Sequence, residues 1–399
     1  MTRSSERAWD IVLFGATGFT GQLVAEELAR MTRGKGVRWA IAGRDAVRLR
    51  EIQASLVGMH PDHGAVGIVV ADARDEASLR ALARSARVVV TTVGPYTLHG
   101  EPLLAACVAE GSHYLDLTGE PGFVKRSRAT HGDAARAARI RVVHCCGFDS
   151  IPADLGALYT VARLPKGSRK HVRIYVRTRA RISGGTWASF LEIAGRAGKR
   201  PSRAEGERTS GGAGPWIHAG PRGGQALVWP VVDRDIVRET ARCRPDLYGE
   251  GFEVQQFMVL KDRRRAIRFA AGLTAAGALA RFGPARRWLR SRLPSHAGPD
   301  DATRARSSFE LTFVGKTVPG EGEATRKVVT RVSGGDPGYT ETSRMLAAAS
   351  VLLATREADL PRAAGVLTPA LAFGEVLIDE LTRIGLRFEV LEQDGVAAG

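Results

Sequence analysis

Residues 10–30, DIVLFGATGFTGQLVAEELAR, pass from four consecutive apolar side chains through a glycine-rich turn into an amphipathic segment. The turn, Gly15-Ala16-Thr17-Gly18-Phe19-Thr20-Gly21, is a G-x-x-G-x-x-G variant of the dinucleotide-binding fingerprint. Its glycines let the backbone turn sharply and lie close to a pyrophosphate, and the helix that follows offers unpaired N–H groups and the positive end of its dipole. Thr17 and Thr20 add hydroxyl donors, and Phe19 completes the loop. Glycine-rich turns also serve plain strand–helix packing. Here, however, the turn follows a strand near the start of the sequence and heads a whole series of similar units.

Outward from it, the first 150 residues keep one rhythm. Apolar runs at Asp10–Phe14, Trp39–Ala42, Val66–Ala71, Val88–Val93, Tyr114–Leu117 and Arg141–Cys145 alternate with helix-like segments near 19–32, 45–56, 75–85, 101–110 and 123–139. Strands spaced by helices imply βαβ units and a parallel sheet. The unbroken Val88-Val89-Val90 suits a strand covered on both faces. The expected fold class is therefore α/β: an N-terminal Rossmann domain with a parallel sheet over 1–150, then a second, mixed α/β domain with antiparallel strands over 151–399. The C-terminal helix of the second has the option of packing back on the first.

The tips of the strands suggest the cofactor. The second strand ends Ala42-Gly43-Arg44, where an acidic residue would bind the ribose 2′-OH of NAD and an arginine accommodates a 2′-phosphate. Arg44, with Arg48 a turn later, favours NADPH, and Asp45 reads as a helix N-cap. Asp72, closing the third strand, either meets the adenine edge or caps the next helix. Thr92, Val93, Gly94 and Pro95 follow the fourth strand at the carboxyl edge of the sheet, where ligands bind. They are expected to border the nicotinamide ribose.

The second half reads as a strand at His171–Ala180, a helix at 186–198, and a Gly/Pro/Arg-dense loop at 198–225. Strands at Ser308–Val314 and Thr325–Val332, joined through Pro319-Gly320, precede helices at 342–357 and 369–384 and a last strand at Leu386–Leu391. The net charge of +16 is uneven. Residues 1–150 hold 19 basic and 16 acidic side chains, or +3, which leaves +13 for the remainder. Such a surface suits an anionic partner, although an arginine-rich surface with no partner gives the same numbers.

The opening MTRSSERAWD has no apolar signal-peptide core, and no apolar run reaches the roughly 20 residues of a spanning helix. A cytoplasmic protein is expected, peripheral at the inner face of the plasma membrane if its basic segment meets lipid. The four cysteines, Cys107, Cys145, Cys146 and Cys243, make no C-x-x-C pair, and no metal site is evident.

Taken in order, GATGFTG, AGR (42–44), TTVGPYTLHGEPLLAAC (91–107), GSHYLDLTGEPGF (111–123) and CGFDSIPADLG (146–156) resemble the saccharopine dehydrogenase-like reductases. SGGT (183–186), GDPGY (335–339) and GVLTPALAFGE (365–375) resemble one branch in particular, the mycobacterial-type trans-acting enoyl reductases that serve polyketide synthases in complex-lipid synthesis. The likeness covers nearly the whole chain and is least at 198–225 and 261–293. It implies NADPH-dependent reduction of an enoyl thioester held on a synthase or carrier domain; a nucleic-acid partner is not expected. The other readings are an amino-acid dehydrogenase of the saccharopine type, which would want an arginine cluster for a doubly anionic substrate, and a non-catalytic NADPH-binding or lipid-associated protein.

Enoyl thioester reduction needs a hydride at Cβ, stabilisation of the enolate oxygen, and a proton at Cα. Tyr96, just past the fourth strand, is a candidate proton donor or else a packing residue. His99 titrates in the useful range. Asp149 either orients a donor or caps the helix near Pro152. Ser183, Gly184, Gly185 and Thr186 either present hydroxyl and N–H groups to the thioester oxygen or form a plain strand-to-helix turn.

Residues 261–292 hold ten basic side chains against Asp262 alone, and Phe269–Ala280 carries no charge. That pattern fits a helix lying on an anionic membrane, a shelter for an acyl chain, or a dock for an acidic carrier domain. A core helix with solvated flanks is the plainer account.

Overall fold

The computed structural model describes residues 7–59, 66–180, 217–228, 232–285, 288, 298–318, 320 and 324–394. The expected helix at 186–198, the SGGT motif at 183–186, most of the loop at 198–225, Pro319 and most of 286–292 lie outside these.

The first unit alternates as its sequence implies. It contains β1 (Trp9–Phe14), α1 (Phe19–Thr32), β2 (Trp39–Gly43), α2 (Ala46–Met59), β3 (Gly67–Val70) and α3 (Glu76–Ser85). β4 (Ala86–Thr91), α4 (Tyr96–Glu110), β5 (His113–Asp116), α5 (Pro121–Ala137) and β6 (Arg141–Val143) complete it. Ile11, Val12, Leu13 and Val88 to Val90 are wholly buried, because helices cover both faces of their sheet.

After residue 150 come α6 (Ile151–Val161), β7 (Lys170–Arg179), β8 (Ile217–Ala219), β9 (Gln225–Val228), α7 (Val232–Cys243) and α8 (Pro245–Tyr248). They are followed by β10 (Glu253–Leu260), α9 (Arg263–Leu279), α10 (Asp301–Arg306), β11 (Ser308–Thr317) and β12 (Lys327–Gly334). The chain closes with α11 (Thr340–Thr355), β13 (Gly365–Leu367), α12 (Pro369–Arg383) and β14 (Arg387–Gln393).

Among the described residues the strands form two seven-stranded sheets. The first, in the order β13-β6-β5-β4-β1-β2-β3, is parallel throughout. The second, β14-β12-β11-β7-β10-β9-β8, is antiparallel except for the β7–β10 pair. This is the α/β class expected, with one addition. The chain does not leave the first sheet for good at residue 150, since β13 returns as its edge strand and α11 packs against α1, β1 and β4. α11 buries Met345 through Ala349 without a polar face, as a helix enclosed on all sides must.

α6 joins the two sheets. It is buried almost along its whole length, and Gly156 lets it approach β11, where a Cβ would fall 2.2 Å from the Phe313 ring. Asp154 on α6 accepts from Thr240 Oγ1 (2.6 Å) on α7 and from the Ala370 N–H (2.8 Å) on α12. Burial pushes its carboxyl up to about 6.

Candidate active site and cofactor cradle

The fingerprint loop connects β1 to α1, and each glycine has its own task. Gly15 takes φ +94°, and a Cβ there would strike Val93 Cγ2 at 2.7 Å and Thr92 Oγ1 at 2.8 Å. At Gly21 a Cβ would sit 2.1 Å from the Gly15 carbonyl oxygen, so that glycine lets α1 close on the loop. Gly18 is different. A Cβ there meets only the Gly15 carbonyl, at an ordinary 3.5 Å, so the protein's own packing does not require glycine. A ligand lying on the loop would.

The helix ends say the same. α2 is capped by Asp45, whose carboxylate accepts from the N–H groups of Val47 and Arg48 (both 3.0 Å). α3 is capped by Asp75, and the first turn of α4 by Glu120, which accepts from the N–H groups of Tyr96 (2.9 Å) and Thr97 (3.0 Å). α1, like α5 and α6, has no side-chain cap, and no acidic residue stands in its first turn. Its positive end opens onto the glycine turn, which suits a pyrophosphate.

Thr92 Oγ1 donates to the Gly15 carbonyl (3.2 Å), tying the end of β4 to the cradle. Val93, Gly94 and Pro95 continue along that edge. Phe19 packs edge-on against Tyr339 of the GDPGY motif, ring centroids 5.0 Å apart, with the Arg304 guanidinium 5.7 Å from its ring. Arg44 stands exposed at the tip of β2 with no acid paired to it among the described residues. Asp72 does not cap α3. It turns its own loop, accepting from the Arg74 N–H (3.0 Å), and remains half-buried.

The three candidate catalytic residues part company. Tyr96 is buried, and its hydroxyl donates to the Thr91 carbonyl (3.1 Å) and accepts from the Leu117 N–H (3.2 Å). Burial and the charge of Asp116 push that phenol well above its ordinary range. With its one proton committed to the backbone, Tyr96 is a structural tie, which favours the packing alternative over a donor. His99 is half-buried on the first turn of α4. Asp149 follows β6 and lies against Gly119 at the end of β5. It caps nothing: the N-cap of α6 is Ser150, and no described group hydrogen-bonds to the Asp149 carboxyl. Burial, then the charge of Asp116, push that carboxyl up to about 6.

Beneath Asp149 lie two polar groupings that the sequence reading missed. Ser127 Oγ, His144 and Asp116 are linked at 2.6 and 2.7 Å, an order familiar from acyl-transfer enzymes, but all three side chains are sealed in the core. Asp116 also accepts from Tyr114 Oη and from the N–H groups of Thr118 and Cys145, so the chain of bonds shapes the ends of β5 and β6. Asp233 on α7 accepts from Gln256 Nε2 of β10 (2.7 Å) and from Ser150 Oγ (3.4 Å). Burial pushes its carboxyl up to about 8. Among the described residues no group of three or more His, Cys, Asp or Glu could hold a metal ion.

A parallel sheet, an open helix end over a tight glycine turn, and a lone arginine at the tip of β2 define a dinucleotide-binding α/β protein. A family model for the saccharopine dehydrogenase NADP binding domain matches residues 11–143. A Mycobacterium tuberculosis protein provisionally named a trans-acting enoyl reductase is 34% identical, over 97% of this chain and 98% of that protein. The human saccharopine dehydrogenase-like oxidoreductase is 30% identical, over 98% and 100%. In fold, the chain is similar to apo saccharopine dehydrogenase (L-Glu forming) from Saccharomyces cerevisiae, with a TM-score of 0.55 at 14% identity over 96% of this chain and all of that one. The chain belongs to the saccharopine dehydrogenase-like oxidoreductase family, and its cofactor is NADPH.

Proposed function

We propose that the protein reduces the carbon–carbon double bond of enoyl thioesters, acting in trans on acyl chains carried by a polyketide synthase in lipid or glycolipid synthesis. The observation that carries this reading is Asp149. It is an unpaired carboxyl on the ligand-binding edge of the sheet, with a proton affinity suited to donation near neutral pH. The provisional name of the mycobacterial relative supports it. NADPH, when bound, supplies the hydride. Gly15, Thr17, Gly18, Thr20, Gly21 and the open end of α1 hold the pyrophosphate, Phe19 anchors the loop from below, and Arg44 takes the 2′-phosphate. Asp72 lies toward the adenine, and Thr92, Val93, Gly94 and Pro95 flank the nicotinamide ribose. Asp149 delivers the proton to Cα, with His99 as the reserve donor, and Ser183 to Thr186 are kept as donors to the thioester oxygen.

The same reading places the protein peripherally on an anionic membrane through α9. That helix is no core helix. Most of its described residues face solvent and Ala266 is buried among them, with Ile267 51% and, just beyond the helix, Phe282 67% exposed. Arg263, Arg264, Arg265 and Arg268 stand beside this apolar surface, the composition of an interfacial helix. No described helix is long and apolar enough to cross a membrane.

The test is turnover. Purified protein should oxidise NADPH with a crotonyl thioester, and Asp149→Asn should lower kcat about 10²-fold with NADPH affinity retained. Turnover with saccharopine and not with the thioester would favour an amino-acid dehydrogenase. Turnover with neither would leave a binding protein.

A further inference from the structure

The second sheet carries a basic cavity that the chemistry above does not use. Where β7 ends and β11 begins, a space of about 610 Å³ is lined by Arg177, Arg179, Arg222, Arg331 and Arg387, with Glu310 as its acid. Arg331 is held by two carboxylates, Glu310 at 3.3 Å and Glu389 at 2.9 Å, so its own charge is more than neutralised. Arg177 donates to the carbonyls of Arg222 (2.9 Å) and Gly223, which carry no formal charge. No described acid pairs with Arg179, Arg222 or Arg387. A second cavity of about 360 Å³ shares Thr178 and Arg179 and adds Arg306.

Arg177, Arg179, Arg222 and Arg387 outnumber the one carboxylate charge left over at Arg331, so their guanidiniums repel each other and create a local positive potential on one concave surface. An oxyanion removes that repulsion, and guanidinium forks match the paired oxygens of phosphate better than a point charge does. The position indicates which part of a substrate would bear the anion. Phe309 lines the cavity and sets its ring edge-on to Phe148, 4.9 Å between centroids, and Phe148 directly precedes Asp149. Through that ring contact the cavity adjoins the segment that carries the proposed acid. A charge bound there belongs to a part of the substrate remote from the reacting carbons.

We infer that this cavity binds the phosphate ester on the thiol carrier arm of the substrate, that is, the phosphate of a 4′-phosphopantetheine thioester. The inference rests on the thioester-reductase reading and adds to it a site for the carrier; on the amino-acid dehydrogenase reading the same arginines would take a doubly anionic substrate, and turnover with saccharopine that the double variant below abolishes would assign them so. Binding energy gained at such a remote anchor holds the acyl end in place for reaction, so truncated substrates should lose rate as well as affinity.

The experiment compares crotonyl-4′-phosphopantetheine with crotonyl-N-acetylcysteamine, which lacks the phosphate. Wild type should show kcat/KM at least tenfold higher for the phosphorylated thioester. The double variant Arg179→Gln/Arg387→Gln should lose that preference while keeping its rate on the truncated thioester and its NADPH affinity. Equal rates on both thioesters in wild type, or an equal loss on both in the variant, would overturn the inference. A third arm uses the same acyl group on a holo carrier protein. A defect confined to that arm would mean the arginines read the carrier's protein surface, and the phosphate assignment falls. Should no thioester be turned over, the reductase reading fails. Calorimetry with 4′-phosphopantetheine alone then decides the cavity, by binding that the double variant abolishes or by no binding at all.

Discussion

The hydroxyl of Tyr96 donates to the Thr91 carbonyl over 3.1 Å and accepts the Leu117 N–H over 3.2 Å, so one phenol ties the end of β4 to the end of β5. Tyr96→Phe keeps the stacking on Phe123 and removes both hydrogen bonds. Leaving buried backbone groups unpaired costs about 1–3 kcal/mol. The variant should therefore melt lower while kcat stays within about threefold of wild type, because the phenol's proton is not free to leave. A loss of kcat of about 10²-fold with unchanged stability would restore Tyr96 as the donor.

Gly18 and Gly21 separate cofactor binding from folding. Gly18→Ala meets no obstacle in the protein, so its circular dichroism and apo melting temperature should match wild type while NADPH no longer raises that temperature. Gly21→Ala drives a methyl group into the Gly15 carbonyl and should lower apo stability outright. Retained NADPH stabilisation in Gly18→Ala would mean that the pyrophosphate lies elsewhere.

The first sheet was legible because its strands are long apolar runs between amphipathic helices, and β1, β2 and β4 fall within a residue or two of the stretches expected. β6 stops at Val143 and not at Cys145, since Cys145 takes a left-handed φ of 61° and aims its N–H at Asp116. No local pattern reports that turn. β10 was missed because Gln256, a polar residue, occupies a buried position and spoils the alternation, and its partner Asp233 lies 23 residues away. β13 is three residues long and shows no period. α7 was within reach: Val232, Ile236, Val237, Thr240 and Ala241 mark a helical face. Of the site, the cradle could be read from sequence, whereas the commitment of Tyr96 depends on Leu117, which only the fold brings near.

Asp233 gives stability a pH dependence of definite sign. Its carboxyl, near 3.9 in an unfolded chain, is pushed up to about 8 by burial. Between those values the folded state holds a proton that the unfolded state has released, so stability falls as pH rises. Melting temperature should decline from pH 5 to pH 8 in wild type and decline less in Asp233→Asn, where that proton is absent. A wild-type profile that climbs over this range would contradict the assignment.

α9 makes a charge-dependent prediction. Reversing Arg263, Arg264 and Arg265 to Glu should abolish cosedimentation with vesicles containing anionic lipid, and added salt should weaken wild-type binding in the same way. NADPH affinity should not change. A wild type that ignores such vesicles at low ionic strength would remove the membrane from the account.

Hydride delivery to the enoyl Cβ is tested most directly by isotope transfer. Protein incubated with a crotonyl thioester and NADPH deuterated at C4 of the nicotinamide should yield a butyryl thioester one mass unit heavier, with the deuterium at Cβ. In heavy water with unlabelled NADPH, the label should appear at Cα. Absence of the saturated thioester, or the cofactor's deuterium at any carbon other than Cβ, would contradict the account.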